Sequence, residues 1–168
     1  AGIIVLALII ALFVSKEFNV VREVIINKPK TEVFGYIKLL KNQDNFSVWA
    51  QADPAMKKEF KGTDGNVGAV SYWDSEKKEV GKGEQEIINI SEGDRIEYEL
   101  RFKKPFETTN SAFMSTDEVD PSQTKVRWGF KGNMIYPMNL MLLFMDMDKI
   151  IGKDLSQGLT NLKSVLEK

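Results

Sequence analysis

The sequence predicts an α+β domain in which an antiparallel sheet is covered on one face by a long C-terminal helix. Three observations predict it: a series of alternating segments separated by short turns, a final segment with helical spacing of apolar residues, and a composition of 43% hydrophobic and 28% charged residues. This composition is typical of a globular protein. A chain of 168 residues is long enough for one such domain with its own core.

The chain begins with an apolar segment that differs from everything after it. Residues 3–14 read IIVLALIIALFV and end abruptly at Ser15, Lys16 and Glu17. Even with the two preceding residues the run has 14 apolar positions, fewer than the ~20 that cross a bilayer as a helix. Because the sequence starts with Ala, we interpret the run as the C-terminal part of a signal anchor whose upstream residues are missing. A secretory signal and a buried core helix are the alternatives.

We therefore expect residues 1–16 to be a membrane-anchor helix and residues 17–168 to form the folded domain. A single N-terminal anchor with a cytoplasmic basic flank would leave the domain on the outer, periplasmic or extracytoplasmic face of the membrane.

The first strand and two short helices follow this segment. Residues 20–26 alternate with period two, and Arg22 shares the parity of the apolar positions, so it must lie near an end or be paired. Residues 30–37 have helical apolar spacing directly after Pro29, which is tolerated at a helix start. A second short helix is predicted over residues 44–49 and ends before Pro54.

Six further strands follow, separated by turns that contain Gly, Asp or Pro. They are predicted at residues 56–61, 68–73, 79–90, 95–103, 108–118 and 125–131. The inward-facing positions of the two clearest strands are Ile96, Tyr98, Leu100 and Phe102, and Val126, Trp128 and Phe130. Charged residues occupy the alternate positions, so one face of the sheet is expected to be buried and the other exposed to solvent.

In the last 30 residues the apolar positions return to helical spacing, which predicts a helix that covers the buried face of the sheet. Their apolar stripe consists of Ile151, Leu155, Leu159, Leu162 and Leu166, spaced by four, four, three and four. Together, the elements predict a curved seven-stranded sheet that wraps around a C-terminal helix.

Composition narrows the range of functions. The chain has no Cys and no His, so it lacks a thiolate nucleophile, the usual proton shuttle near neutral pH and the commonest transition-metal ligands. We assign no catalytic residue, no metal site and no cofactor. The net charge of −1 gives no broad attraction to nucleic acid, which we exclude as a partner.

Two pairs of carboxylates need a specific interpretation, because a glycosidase-like site would use such a pair. Glu97 and Glu99 alternate with an apolar face and so point to water. Glu84 and Glu86 share the parity of Ile88, which leaves their face ambiguous. We expect neither pair to be catalytic.

Residues 134–147 contain five of the seven methionines. Flexible, polarizable Met side chains suit surfaces that repack around variable apolar shapes. The segment could therefore be a gate over a cavity mouth, a patch that touches the membrane, or an ordinary helix. Its candidate ligand-contacting residues are Met134, Met138, Met141 and Phe144.

Aromatic side chains are the other candidates for the wall of a ligand pocket, since they supply large apolar areas and, in Tyr and Trp, a polar tip. These candidates are Trp49, Tyr72, Trp73, Tyr98 and Trp128. Simple core packing is the alternative for each, and the clear inward parity of Trp128 makes it the strongest of them.

The order of elements, with the residues that punctuate it, resembles the START-like (SRPBCC) superfamily, in particular its bacterial polyketide cyclase/dehydrase-like branch and the plant pollen-allergen proteins. The resemblance covers residues 18–167. It is carried by residues 20–26 running into 27–29 and 33–37, by 49–54, 67–69, 81–83 and 124–132, and by 158–163. It implies a helix-grip fold with a deep apolar cavity between the sheet and the C-terminal helix.

The resemblance supplies no activity, since similar proteins include lipid carriers, receptors and cyclases. The cavity that it implies, the Met-rich segment and the apolar N-terminus favour a membrane-tethered module that binds a lipid or another hydrophobic small molecule. One alternative is an accessory subunit of a membrane protein complex. The other is a cyclase- or hydratase-type enzyme that works without His or Cys.

Overall fold

The structure, a computed structural model, describes residues 2–168. The helices are α1 Gly2–Phe13, α2 Lys30–Ile37, α3 Val48–Gln51 and α4 Met147–Leu166, with 3₁₀ segments at Leu40–Asn45 and Met138–Leu143. The strands are β1 Glu17–Ile26, β2 Lys57–Lys61, β3 Val70–Asp74, β4 Lys82–Ser91, β5 Arg95–Lys104, β6 Thr108–Asp120 and β7 Gln123–Asn133.

All seven strands form one antiparallel sheet in the order β1-β7-β6-β5-β4-β3-β2. Strands β2 to β7 pair with their neighbours in sequence, and β1 closes the order by pairing with β7. The inward face packs against α4, which buries Leu155, Leu159 and Leu162 almost completely. The fold class predicted from the sequence is therefore confirmed.

The sheet has two ends that differ in what is attached to them. The register places Glu17 opposite Asn133, Lys104 opposite Lys82 and Asp74 opposite Lys57. We call this the α1 end, because α1, the loops at 75–81 and 105–107 and the Met-rich segment all leave from it. The short turns at 27–29, 92–94 and 121–122 lie at the other end, the turn end.

Helix α4 runs from the α1 end to the turn end. Its N-terminus is capped by the Asp146 side chain, which accepts a hydrogen bond from the Lys149 backbone N–H at 3.0 Å. Gly158 lets the helix approach the sheet closely, since a Cβ there would lie 2.7 Å from the Trp128 ring. Arg22 is paired, as its parity requires, with Asp148 of α4 at 2.8 Å.

The second short helix, predicted over residues 44–49, is replaced by two separate segments, a 3₁₀ turn and the α-helix α3. A 3₁₀ turn begins earlier, at Leu40, because the Asp64 carboxylate accepts the backbone N–H groups of Leu40 at 2.7 Å and Lys41 at 3.2 Å. The α-helix begins later, because the Ser47 hydroxyl caps it. Both differences depend on side-chain contacts rather than on periodicity.

Helix α1 keeps most of its apolar side chains exposed, and only Ala11 is buried. Within residues 2–168, no helix combines the length and the apolar character that crossing a membrane requires.

Candidate ligand cavity

A cavity of about 480 Å³ lies between the sheet, α3 and the first half of α4. This volume is within the range of ~300 to 1,000 Å³ typical of small-molecule sites. The sheet contributes mostly apolar side chains to it, among them Trp73, Leu100, Phe102, Ala112, Trp128 and Phe130. The helices contribute Val48, Trp49, Ile151 and Leu155.

Edge-to-face contacts hold the aromatic walls in place. Trp128 lies at the centre, with the Phe46 ring at 5.6 Å and the Trp49 ring at 5.9 Å between centroids. Trp73 meets Phe102 at 5.6 Å across the intervening Gly83 of β4, and a Cβ on that glycine would clash with the indole. Such aromatic pairs give the walls a defined shape.

Four of the five aromatic residues predicted as pocket walls, Trp49, Tyr72, Trp73 and Trp128, line the cavity. Tyr98 faces inward as its parity predicted, but it is fully buried in the core and does not line the cavity. The 3₁₀ turn at residues 40–45 places Gln43 over this position, which separates the tyrosine from the cavity. Periodicity along β5 could not reveal that cover.

The Met-rich segment lies elsewhere. None of Met134, Met138, Met141 and Phe144 lines the cavity. The segment instead forms a 3₁₀ turn against the C-terminal end of α1. The buried amide of Asn139 donates hydrogen bonds to the Ala11 carbonyl at 2.7 Å and the Val14 carbonyl at 3.0 Å.

This contact has a simple physical cause. The last carbonyls of a helix lack partners within the helix, and Asn139 supplies donors to two carbonyls at the end of α1. A single Asn within a long apolar run is a signal that sequence reasoning could have used, but its partners are more than 120 residues away.

Sequence reasoning missed the polar residues of the cavity wall, which include Gln43, Ser71 and Gln85. Asp44 and Lys58 also contribute, joined as an ion pair at 2.7 Å. Gln85 could have been found, because it shares the inward parity of Gly83 and Ile87 on β4.

Gln43 and Tyr98 form an unusual polar pair at the inner side of the cavity. The Gln43 side chain is 9% exposed and adjoins the Tyr98 hydroxyl, yet no hydrogen bond of normal geometry joins Nε2 to Oη. Burial raises the pKa of the Tyr98 hydroxyl, so it remains protonated and available as a donor. Each such unsatisfied buried group costs about 1–3 kcal/mol.

The carboxylate pairs lie on the opposite face of the sheet. Arg101 forms ion pairs with Glu84 at 2.6 Å, Glu86 at 2.8 Å and Glu99 at 2.5 Å. The pairing with Arg101 lowers the pKa of Glu84. A bulge at Ile88 changes the parity of β4, which explains the ambiguous pattern in the sequence. These carboxylates form an outer charge network and do not face the cavity.

No protein-family model and no curated protein sequence matches the chain. Solved structures with a similar fold do match it. A protein from Thermobifida fusca has a TM-score of 0.64 at 14% identity and covers 88% of this chain and 92% of its own. The protein Ara h 8.0201 has a TM-score of 0.61 at 15% sequence identity, and the match covers 89% of this chain and 97% of that protein. The Aha1 protein of Colwellia psychrerythraea, solved as a dimer, has a TM-score of 0.60 at 13% sequence identity, and the match covers 89% of this chain and 96% of that protein.

These similarities show that the chain has the helix-grip fold, as the sequence resemblance implied. At such low identity they establish a shared fold and no shared activity.

Proposed function

We propose that this protein is a membrane-associated module that binds a hydrophobic small molecule in the cavity between its sheet and α4. The observation that carries the proposal is the 480 Å³ space with its aromatic walls. Protein interiors are normally packed without voids of this size. A large apolar cavity that remains open costs stability, and a ligand that fills it would recover that stability.

The polar groups on the wall suit orientation of a ligand. Gln43, Ser71 and Gln85 carry neutral amide or hydroxyl groups, which hold a ligand without exchanging protons near neutral pH. The charge of Asp44 is already balanced by Lys58, whose ammonium also donates to the Ala50 carbonyl at 2.9 Å. The half-buried Asp154 and the exposed Glu79 add two carboxylates to the wall, and because the chain has no His or Cys to act with them, we favour binding over acid–base catalysis.

Membrane association is proposed from the surface of the α1 end. Helix α1 has no charged residue, and its exposed side chains include Ile3, Ile4, Val5, Leu6, Ile9 and Leu12. The neighbouring Met-rich segment adds exposed Ile135, Met138, Met141, Leu143 and Phe144. An apolar surface of this extent marks an interaction site, and a uniformly apolar helix suits a lipid environment better than a polar partner.

The cavity and this apolar surface lie towards the same end of the sheet. Trp73, Phe102 and Phe130 line the cavity and lie within a few residues of the strand ends at the α1 end. Helix α1 leaves the sheet at that end too. A domain held at a bilayer by α1, on its outer face, would therefore present the cavity near the lipid from which a ligand could enter.

Ligand binding is tested by native mass spectrometry of the full chain, purified without detergent, and by thermal shift with single-chain fatty acids, fatty alcohols and isoprenoids. We expect a retained small molecule or a rise in melting temperature. An empty mass with no thermal shift across the panel would overturn the proposal.

Membrane association is tested by flotation with phosphatidylcholine vesicles. Ile9 in α1 and Val119 at the turn end are each 48% exposed, which makes their Asp substitutions a matched pair. We expect Ile9→Asp to reduce the fraction that floats and Val119→Asp to leave it unchanged. Equal flotation of the two variants, or none for the unmodified chain, would contradict the proposal. Migration of the full chain in mild detergent as part of a larger complex would favour an accessory subunit instead.

A further inference from the structure

Gln43 is the polar side chain of the cavity wall whose placement most needs an explanation. It is 9% exposed, and its backbone carbonyl is fixed by hydrogen bonds from the N–H groups of Ser47 at 2.8 Å and Phe46 at 3.2 Å. The amide is therefore carried on a rigid turn, next to the unpartnered hydroxyl of Tyr98. Buried polar groups in folded proteins nearly always have a partner, so an unsatisfied pair indicates a missing one.

The pair lies deep in the domain relative to the aromatic part of the cavity. Tyr98 and Phe102 face inward on the same strand, four residues apart, which corresponds to about 13 Å along a β-strand. Phe102 lies near the α1 end, and Tyr98 lies towards the turn end. A ligand that reaches Gln43 would therefore have its polar group inside and its apolar part among Trp73, Phe102 and Phe130.

The charges around the cavity decide which polar group fits. Lys58 is the cation that lines the cavity, and Asp44 already neutralises it at 2.7 Å, while Glu79 and Asp154 add two further carboxylates to the wall. A carboxylate placed at Gln43 would lose its hydration without gaining a free positive charge. A hydroxyl or carbonyl oxygen requires no such compensation, since the Gln43 amide, with the Tyr98 hydroxyl buried behind it, offers both donors and an acceptor.

We infer that Gln43, supported by Tyr98, is the hydrogen-bonding anchor for the uncharged oxygen of an apolar ligand, a hydroxyl or a carbonyl group that enters the cavity first. This inference rests on the proposed function and specifies the class of ligand: a single-chain or compact amphiphile with a neutral polar end. Charged amphiphiles of the same length are bound less well.

The test compares three probes of equal chain length, 1-dodecanol, dodecanoate and 1-chlorododecane, by displacement of 1-anilinonaphthalene-8-sulfonate from the full chain. We expect 1-dodecanol to bind about fivefold more tightly than 1-chlorododecane, the change that one net hydrogen bond of typical strength produces. Dodecanoate should bind more weakly than 1-dodecanol at pH 7.

Two variants isolate the anchor, and a third is the control. Gln43→Leu should remove the preference for 1-dodecanol and keep the affinity for 1-chlorododecane. Tyr98→Phe, which keeps the ring and removes the hydroxyl, should reduce the preference while the fold is retained. Gln157→Leu, on the exposed side of α4, should leave it unchanged.

The outcomes separate the two levels of the proposal. If all three probes bind equally, or if Tyr98→Phe and a folded Gln43→Leu keep the full preference, the anchor is wrong while the cavity remains a binding site. If dodecanoate binds most tightly, the neutral class is wrong. If no probe binds, the proposed function fails and the anchor with it.

Discussion

The two halves of the layer between sheet and α4 are built from the same alternating pattern but are packed differently. Towards the turn end, Leu159 and Leu162 of α4 lie in a solid core with Ile26, Ile96 and Val126. Towards the α1 end, Ile151 and Leu155 line a cavity. The difference comes from a third layer, because α2 adds Val33, Phe34 and Ile37 to the core and contributes no side chain to the cavity wall.

Inward parity on a strand therefore indicates a side chain that is removed from water, but it does not show whether protein or a ligand covers that side chain. Tyr98 and Phe102 lie on one strand with one parity, yet one is sealed in the core and the other lines the cavity. Stability should therefore depend mainly on the half of this layer towards the turn end, the turn half, and binding on the half towards the α1 end, the α1 half.

The largest effect is expected from a charge buried in the turn half. Leu159 is 1% exposed, so Leu159→Asp would bury a carboxylate without a partner and should lower the free energy of unfolding by ~3–5 kcal/mol. Ser156→Asp, on the exposed side of the same helix, is the control and should change it by less than ~0.5 kcal/mol. Urea denaturation measures both, and similar losses would show that α4 does not cover the sheet in this way.

The next effect distinguishes the two halves directly. Ile37 is fully buried in the turn half, so Ile37→Ala should cost ~2–5 kcal/mol by creating a cavity. Leu100→Ala only enlarges a cavity that already exists, because Leu100 is a partly buried residue of its wall. We expect the loss to be clearly smaller for Leu100→Ala in thermal unfolding. Equal losses would mean that the α1 half is packed as tightly as the turn half.

The outer face should determine part of the response to acid. Arg101 depresses the pKa of Glu84, so the ionised carboxylate contributes stability that is present above its unfolded pKa of ~4.3. That contribution is lost as the pH falls through the depressed folded-state pKa. Arg101→Met should therefore make stability less dependent on pH below ~4.5, measured by denaturation at several pH values. An unchanged acid profile would argue against the Arg101 network.

The smallest effect is expected from the Met-rich segment. Met141 is 41% exposed and does not line the cavity, so Met141→Ala should cost less than ~1 kcal/mol and should not alter ligand release. Stopped-flow dissociation of a bound fluorescent fatty acid measures the release. Faster release at unchanged stability would show instead that the segment gates the cavity.

Much of the fold could be predicted from the sequence, because it depends on local periodicity. The alternation in β5 and β7, the leucine stripe of α4 and the turns between strands each report a face or a boundary directly. Helix α2 has the predicted bounds for the same reason.

The site was predictable only in part, because it depends on long-range contacts. Trp128 was identified by its parity, but the cover that Gln43 gives Tyr98 comes from a turn more than 50 residues earlier. The role of Asn139 depends on carbonyls near the other end of the chain. No pattern in the local sequence contains such information.

If the cavity in the α1 half is the binding site, a side chain that fills it must abolish binding. Ala112 faces the cavity from β6, so Ala112→Phe places a ring in the space that a ligand would occupy. The measurement is the affinity for 1-anilinonaphthalene-8-sulfonate, determined by fluorescence titration. We expect a loss of at least about tenfold, or ~1.4 kcal/mol, in a variant that still unfolds cooperatively. Unchanged affinity in that variant would place the bound probe elsewhere and contradict the account.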